Sequence, residues 1–408
     1  MSISGVASNL EIGLPDWLST RVSFGLGAAD DLASQLRSMR SRAGRAVVIT
    51  GSIDSAKTWQ RGLLDSLGEF DPLFFEQTES HPSLASIGAI RRQAVDADIG
   101  MVVALGGGSV IDTAKLVAHA SPVDGLTDWP AGSADRPLIA VPTTAGSGAE
   151  VTSSAAVWDF DQKRKLSFSG ATMAPDLAIV DPLLTATVPD EIYADSLLDA
   201  LVQAVEGSWS TRATADSTAI GLRAVALLSA HAVAARRDRS DADLKAVALA
   251  GLCAGCSIER GGTGAAHAFS YPLTLQLGVP HGQACAATLA ALIGFNASVG
   301  AFDCVDPRGP EHTRSTVAQV ASAMGEAEAS GAQRRFRVLV KALEKDALRG
   351  VGDLDEEQLI DQAMASPRIA NAPRSIDRAA AREIFAESKR SWSDAANQKS
   401  RRVLLTQT

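Results

Sequence analysis

Three side chains that divalent metal ions favour as ligands stand in the second half of the sequence. They are the carboxylate of Asp199 and the imidazoles of His267 and His281. One carboxylate and two imidazoles suit Zn2+ or Fe2+ and leave coordination positions for water or a carbonyl oxygen. Gln203 follows Asp199 by four residues and Tyr271 follows His267 by four, so each pair shares one helix face. Because histidines are often structural, the spacing alone leaves both a metal site and a packed core open.

A glycine-rich turn stands upstream, between an apolar run and a helical pattern. Glycine allows a ligand to approach the backbone closely, and a helix N-terminus offers N–H groups and a positive dipole end to a pyrophosphate. We therefore predict a dinucleotide-binding turn, with a plain tight turn as the alternative. The predicted cofactor contacts here are Gly106, Gly107, Gly108, Ser109 and Asp112.

A second turn, 142–150, follows the next apolar run and is rich in hydroxyl groups and glycines. Thr143, Thr144 and Ser147 could line a ribose or nicotinamide site there. A Ser/Thr-rich turn without a ligand is the alternative.

Residues 46–50 form an apolar run that predicts a strand, and the residues that follow it bear on the choice between NAD and NADP. An acidic residue at this place binds the ribose 2′-OH of NAD and repels the 2′-phosphate of NADP. Gly51 and Ser52 stand here instead, and the Ser52 hydroxyl could donate to a phosphate. The sequence favours NADP over NAD, while Asp54 keeps NAD open.

Two different patterns position these residues. In residues 1–187, continuous apolar runs alternate with helical patterns, which predicts an α/β domain with a mostly parallel sheet. In residues 188–408, Ala- and Leu-rich helical patterns follow one another, which predicts an all-α domain. The predicted strands are 46–50, 72–75, 101–105, 138–142 and 177–182. The predicted helices are 29–39, 55–67, 84–96, 191–209, 215–236, 241–257, 281–298, 315–325, 333–345, 353–363 and 378–393.

The composition is that of an ordinary globular chain, with 46% apolar and 21% charged residues among 408. A net charge of -9 with interspersed signs argues against nucleic acid, which needs a basic face. No segment reaches the roughly 18 uninterrupted apolar residues that span a bilayer, and the first residues lack the pattern of a leader. Cys253 and Cys256 lie in a helical stretch, so we interpret this pair as buried packing residues. We expect a cytoplasmic homodimer without nucleic-acid or membrane partners.

Several short motifs are spread along nearly the whole chain. They are Phe24-Gly25-Leu26-Gly27, the runs 106–115 and 142–152, Pro175-Asp176, Ile179-Val180-Asp181-Pro182, Asp199-Ala200-Leu201 and Pro280-His281-Gly282. Together they resemble the iron-containing (group III) alcohol dehydrogenase family. The resemblance implies a Rossmann-like NAD(P) domain, a helical domain and a metal in the cleft between them, an architecture shared with dehydroquinate synthase. It also implies that Asp199, His267 and His281 are metal ligands.

Two positions depart from the common pattern of that family. Gln203 stands where many members have a fourth metal ligand, a histidine, and its amide oxygen could still bind. Tyr271 stands where many members have a second histidine linked to proton transfer. Both departures, with the stretch 267–274, resemble the subgroup of phosphonoacetaldehyde reductases of phosphonate biosynthesis. The resemblance therefore implies reduction of a small aldehyde, of which phosphonoacetaldehyde is the first candidate and phosphonopyruvate an alternative.

A phosphonate substrate needs a cationic pocket. Arg260, seven residues before His267, is the first candidate, followed by Arg164 and Lys165 in a polar turn that could equally be a solvated hairpin tip. In the expected reaction the metal polarises the aldehyde oxygen, the nicotinamide gives a hydride, and Tyr271 or a water relay supplies the proton. For Tyr271 a packed aromatic ring is the alternative.

Two rival functions stay open on the sequence. A cyclase related to dehydroquinate synthase would use NAD and a metal in a similar frame, but it would need more basic residues around a phosphate. A weak nucleotide-binding protein without catalysis is the other, because Gln203 replaces an expected metal ligand.

Overall fold

The protein folds into two compact units, and each unit is made of two separate segments of the sequence. The first unit contains Met1–Pro189 and Arg239–Glu259, and the second contains Asp190–Asp238 and Arg260–Thr408. The segment Arg239–Glu259, although it lies among the helices of the second half, therefore belongs with the α/β unit. The structure is a computed structural model, and it describes residues 7–39, 44–51, 58–79, 81–95, 99–118, 136–159, 162, 164–343 and 356–390.

The first unit is built on a parallel sheet of six strands, with a separate antiparallel hairpin of two. Among the described residues, the strands are β1 (Arg21–Phe24), β2 (Arg45–Thr50), β3 (Leu73–Glu76), β4 (Ile99–Gly106), β5 (Leu138–Pro142), β6 (Ser154–Asp159), β7 (Arg164–Ser169) and β8 (Leu177–Val180). The sheet order is β1-β8-β5-β4-β2-β3, and β6 pairs with β7. The predicted α/β class with a parallel sheet is confirmed, and all five predicted strands are present.

Both faces of this sheet are buried, which explains why its strands are continuous apolar runs rather than alternating ones. Val48 and Val103 point into one core cluster together with Leu32 of a covering helix. Val47 and Val102, their neighbours in sequence, point into a second cluster that includes Ile111. Helices must therefore lie on both sides of the sheet.

The order of the strands reverses once, between β2 and β4. From β2 the chain passes to β3 on one side, and then returns to place β4 and β5 on the other side. Ligands of open α/β sheets bind at the carboxyl ends of strands at such a switch point. In the register of this pair, Thr50 lies beside Leu105, so Gly51 and Gly106 both emerge at that end of the sheet.

The described residues also form α-helices. They are α1 (Leu32–Met39), α2 (Thr58–Ser66), α3 (Leu84–Val95), α4 (Gly108–Ala118), α5 (Asp190–Trp209), α6 (Ala215–Asp238), α7 (Asp241–Gly261), α8 (Ala265–Leu277), α9 (His281–Ala297), α10 (Pro310–Ala323), α11 (Ala329–Leu343) and α12 (Glu356–Met364), followed by a last helix over 378–390. The predicted all-helical second half is confirmed.

One helix of the described residues, α6, is long and apolar enough to cross a membrane by length and composition. Half of its apolar window is buried within the fold, where α6 packs against α5 and α10. This is how a core helix of a helical domain behaves. The expected location of the protein in the cytoplasm stays a prediction.

Candidate metal and cofactor sites

Four potential metal ligands of the second unit come together at one place. They are Asp199 on α5, His267 on α8, and His281 and Cys285 on α9. One ligand atom from each lies within 4.8 Å of the others. His267 and Cys285 are buried, while Asp199 and His281 are partly exposed. The structure thus brings together the three side chains that were predicted as ligands, and it adds a thiol.

The first turn of α9 approaches α5 closely because of a glycine. A Cβ atom on Gly282 would lie only 2.0 Å from the backbone oxygen of Asp195, so no larger residue fits between these helices. The carboxylate of Asp195 accepts a hydrogen bond of 2.9 Å from the backbone N–H of Gln283. Burial and the nearby Asp199 raise the pKa of Asp195 to about 6. This contact holds His281, at the start of α9, next to Asp199.

Glu206 holds the ring of His267 in a fixed orientation. Its carboxylate is 1% exposed and accepts hydrogen bonds from the backbone N–H groups of Gly264, at 2.8 Å, and Ala266, at 2.6 Å. The Nδ1 atom of His267 lies 2.7 Å from the same carboxylate, while Nε2 lies 3.3 Å from Asp199. A carboxylate behind a histidine in this way fixes the tautomer that presents Nε2 as a ligand.

Opposing influences act on the protonation of His267. Burial alone would lower its pKa, but Cys285, Asp199 and Glu206 together hold that pKa well above the usual value. A metal ion neutralises the same acidic neighbours and needs the neutral ring, so metal and proton compete for this histidine.

The two positions that depart from the family pattern lie beside this cluster. Gln203 is buried one turn after Asp199 on α5. The ring of Tyr271 stacks nearly parallel to that of His281, with centroids 6.3 Å apart. Tyr271 is half-buried, which leaves part of the side chain open to a ligand.

Sequence reasoning did not include Glu206 and Cys285 in the site. Cys285 follows His281 by four residues, the same spacing that placed Gln203 and Tyr271 on the faces of ligand residues. That spacing was therefore the available signal for Cys285. For Glu206 the signal was weaker, because a seven-residue separation from Asp199 gives only a shared helix face.

The glycine-rich turn of the first unit lies where the sequence placed it, between β4 and α4. A Cβ atom on Gly108 would lie 2.6 Å from Cβ of Ser147, and one on Gly106 would lie 2.6 Å from a methyl group of Val110. The backbone N–H of Thr143 donates to the carbonyl of Gly106 at 3.0 Å. The two predicted cofactor loops are thus packed together at the carboxyl ends of β4 and β5.

For two of the predicted cofactor contacts, Asp112 and Ser52, a role in nucleotide binding stays a prediction. The half-buried carboxylate of Asp112 accepts a hydrogen bond of 2.8 Å from Ala156 N–H and lies 3.7 Å from Nζ of Lys115. It therefore ties α4 to β6, and its contact with a cofactor stays a prediction. Ser52 and Asp54 lie outside the described residues, so the choice between NADP and NAD also stays a prediction.

The predicted phosphonate contacts are divided between the two units. Arg164 forms an ion pair of 3.2 Å with Asp159 across the hairpin β6–β7, and Nζ of Lys165 lies 5.5 Å from the ring centre of Trp158. Both side chains serve the hairpin of the first unit. Arg260 is exposed near the end of α7 and belongs to the second unit.

Comparisons with known proteins match both halves of the chain. Residues 19–182 match the family model for iron-containing alcohol dehydrogenase, and residues 193–389 match the C-terminal model of the same family. Phosphonoacetaldehyde reductase of Streptomyces viridochromogenes is 36% identical over 363 residues, which cover 85% of this chain and 90% of that protein. Choline dehydrogenase of Bacillus subtilis is 28% identical over 341 residues, which cover 79% of this chain and 82% of that protein.

Solved structures share the fold over most of the chain. Sulfoacetaldehyde reductase from Bifidobacterium kashiwanohense, solved in complex with NAD+, has a TM-score of 0.80 and 24% identity, covering 91% of this chain and 97% of that one. An iron-containing alcohol dehydrogenase from Thermotoga maritima has a TM-score of 0.76 and 25% identity, covering 91% and 98%.

Proposed function

The chain belongs to the iron-containing alcohol dehydrogenase family, and we propose that it reduces a small anionic aldehyde, phosphonoacetaldehyde first, to the alcohol. As a member of this family it is an oxidoreductase. The observation that carries the proposal is the meeting of Asp199, His267 and His281 at one point of the second unit. The proposed substrate is supported by the 36% identity to a phosphonoacetaldehyde reductase, and by Gln203 and Tyr271, whose positions resemble that subgroup.

The donor atoms of this cluster fit Fe2+ or Zn2+. A carboxylate and two imidazoles are ligands that both ions accept, and Glu206 supplies the supporting hydrogen bond that metal-bound histidines usually make. We propose Asp199, His267 and His281 as three ligands. When bound, the ion supplies Lewis-acid activation of the aldehyde oxygen, and the reduced nicotinamide supplies the hydride.

Two side chains compete for the fourth ligand position. Gln203 offers a neutral amide oxygen from α5, and Cys285 offers a sulfur atom within 4.8 Å of the other three ligand atoms. Thiolate is the stronger ligand for Zn2+, whereas an amide oxygen suits harder ions. We propose Cys285 as the fourth ligand because its sulfur atom lies close to the other three ligand atoms, and Gln203 as the alternative.

Tyr271 is the proposed source of the proton that completes the alcohol. Its ring stacks on His281, so its hydroxyl is carried by the same helix pair, α8 and α9, that carries His267 and His281. His267 acts in this scheme by holding its Nε2 toward the cluster, while Glu206 keeps Nδ1 occupied. A water relay is the alternative proton source.

The first unit supplies the nucleotide site. Gly106, Gly107 and Gly108 give a side-chain-free surface at the N-terminus of α4, and this surface fits the pyrophosphate of NAD(P). Thr143, Thr144 and Ser147 of the neighbouring loop are proposed to line the ribose or the nicotinamide. NADP is favoured over NAD, and a homodimer is the expected assembly.

A substrate panel with both cofactors tests the function. Purified protein loaded with Fe2+ or Zn2+ would receive NADPH or NADH with phosphonoacetaldehyde, phosphonopyruvate, lactaldehyde, glyceraldehyde or butanal. We expect the highest kcat/KM for phosphonoacetaldehyde with NADPH. A preference for butanal over both phosphonates would contradict an anionic substrate. If no aldehyde caused oxidation of NADPH or NADH, the proposed reductase activity would be wrong.

A further inference from the structure

A short segment of the second unit, residues 261–264, links α7 to α8 and is fixed at three points. We refer to it as the glycine strap. The Ser210 hydroxyl donates to the carbonyl of Gly261 at 2.5 Å, and the Asn371 amide donates to the carbonyl of Thr263 at 2.7 Å. The backbone N–H of Gly264 donates to Glu206 at 2.8 Å. The strap is therefore held rigidly at its beginning, its middle and its end.

Gly262, in the middle of this strap, lies in a pocket of cationic and amide groups. Its φ of +69° is one that larger residues rarely adopt. A Cβ atom at this position would lie 3.2 Å from Nη1 of Arg212, 3.7 Å from Nη1 of Arg368 and 2.9 Å from Nδ2 of Asn371. Two guanidinium groups from distant parts of the sequence thus converge on one point of a glycine backbone.

The charges at this point are not balanced by acidic side chains. Within the ranges that the structure describes, neither Arg212 nor Arg368 forms an ion pair, whereas the nearby Arg308 and Arg374 are paired with Asp306 and Asp303 at 2.7 and 2.8 Å. Two like charges held close together repel each other unless an anion lies between them. Arg212 is exposed and Arg368 is half-buried, so an anion can reach them from solvent.

The strap connects this cationic point to the metal cluster. At its far end Glu206 receives the N–H of Gly264 and also holds Nδ1 of His267. Arg212 follows α5, the helix that carries Asp199 and Glu206, by three residues. The cationic point and His267 of the cluster therefore belong to one hydrogen-bonded frame.

We propose that Arg212 and Arg368, grouped around Gly262, bind the tetrahedral oxyanion of the substrate, a phosphonate or a sulfonate carried on the carbon next to the aldehyde. The inference rests on the proposed function and adds the residues that recognise its anionic end. Guanidinium groups bind such oxyanions with paired hydrogen bonds, and Asn371 Nδ2 stands at the same point. Two positive charges match a phosphonate dianion better than a sulfonate monoanion.

The test compares charged and neutral aldehydes in Arg212→Ala and Arg368→Ala. For phosphonoacetaldehyde we expect kcat/KM to fall at least about tenfold in each variant, the usual loss for one hydrogen bond to a charged group. For butanal we expect less than a twofold change. Arg368→Lys keeps the charge and loses the planar fork, so it should recover only part of the loss. Sulfoacetaldehyde, run in parallel, should lose less than phosphonoacetaldehyde.

Two further variants make the outcome decisive. Arg382→Ala removes an exposed guanidinium from the same unit, where it pairs with Glu357, and should leave both substrates unaffected. Arg260→Ala tests the rival site near the end of α7. Equal losses for butanal and phosphonoacetaldehyde in the Arg212 and Arg368 variants, or a selective loss in Arg260→Ala alone, would overturn the inference.

Binding of methylphosphonate, which has no aldehyde, separates this inference from the function. Isothermal titration calorimetry should show that the wild-type protein binds methylphosphonate and that Arg368→Ala binds it with lower affinity. If the wild type reduces phosphonoacetaldehyde while both arginine variants match it, the inference fails and the proposed function stands. If the wild type binds methylphosphonate through these arginines but reduces no aldehyde, the proposed function fails and the anion site stands.

Discussion

Glu206 and His267 form a buried pair in which the carboxylate lies 2.7 Å from Nδ1 of the ring. The carboxylate also accepts two backbone N–H groups, so its place is fixed independently of the histidine. The ring can therefore turn only its Nε2 toward Asp199. The proposed metal site is thus supported by Glu206, which is not one of its proposed ligands.

Replacing Glu206 by Gln should weaken metal binding without removing a ligand. A glutamine side chain has one acceptor and an NH2 group, so it must turn a donor toward a backbone N–H or toward His267. We expect the affinity for Zn2+ to fall by about 10- to 100-fold, measured by competition with a chromophoric chelator. Glu383→Gln, an exposed change on the last helix, is the control. Equal affinities in the two variants would show that Glu206 does not orient His267.

The identity of the fourth ligand can be observed directly with Co2+. A Cys285 thiolate on cobalt gives an intense near-ultraviolet charge-transfer band, which an amide oxygen from Gln203 cannot give. We expect this band in the wild-type protein and in Cys256→Ser, whose thiol is buried in the other unit. It should vanish in Cys285→Ser. A wild-type Co2+ spectrum without the band, together with a loss of stoichiometric binding in Gln203→Ala, would assign the position to Gln203.

The sheet and most helices could be predicted from the sequence. The sheet is buried on both faces, so its strands are continuous apolar runs that are easy to recognise. Continuous apolar runs such as 101–105 predict β4, and the glycines after it predict the turn to α4. The short β1 gave no such signal, since Arg21 and Ser23 interrupt it. Helix α8 is absent from the predicted helices, because Pro272 stands inside it.

For the site, the sequence identified ligand types but not their supports. Asp199, His267 and His281 were predicted because few other side chains bind metals. Arg212 and Arg368 could not be found, because they are 156 positions apart in a chain with 38 basic residues. Only the fold brings both to Gly262.

The role of the glycine-rich turn in nucleotide binding can be tested by adding a single methyl group at Gly108. In Gly108→Ala the new Cβ would lie 2.6 Å from Cβ and 2.8 Å from Oγ of Ser147, so one of the two cofactor loops must move. We expect the dissociation constant for NADPH to rise by roughly tenfold or more, measured by the fluorescence of the bound nucleotide. Gly62→Ala, which meets nothing within 4 Å, is the control and should bind normally. Equal binding in both variants would remove Gly108 from the cradle.

Acid should destabilise the first unit through His81. Burial, with a contribution from Lys165, lowers the pKa of His81 to about 4 from the usual 6.5, and its ring packs edge-on against Trp158. The unfolded chain therefore binds more protons than the folded one between these two values, and stability falls as the pH is lowered through this range. In His81→Gln the unfolding midpoint should fall less between pH 6.5 and 4 than in the wild type. Parallel curves for the two proteins would contradict this assignment.

The central claim is net hydride transfer from NAD(P)H to an anionic aldehyde at the cluster of Asp199, His267 and His281. Its most direct test follows NADPH by absorbance and the phosphorus compounds by 31P NMR in one reaction of the metal-loaded enzyme with phosphonoacetaldehyde. We predict that each molecule of 2-hydroxyethylphosphonate formed consumes one NADPH, and that removal of the metal by a chelator stops both changes. Product formation without loss of NADPH, as in a cyclase that regenerates its cofactor, or an unchanged rate after removal of the metal, would contradict the claim.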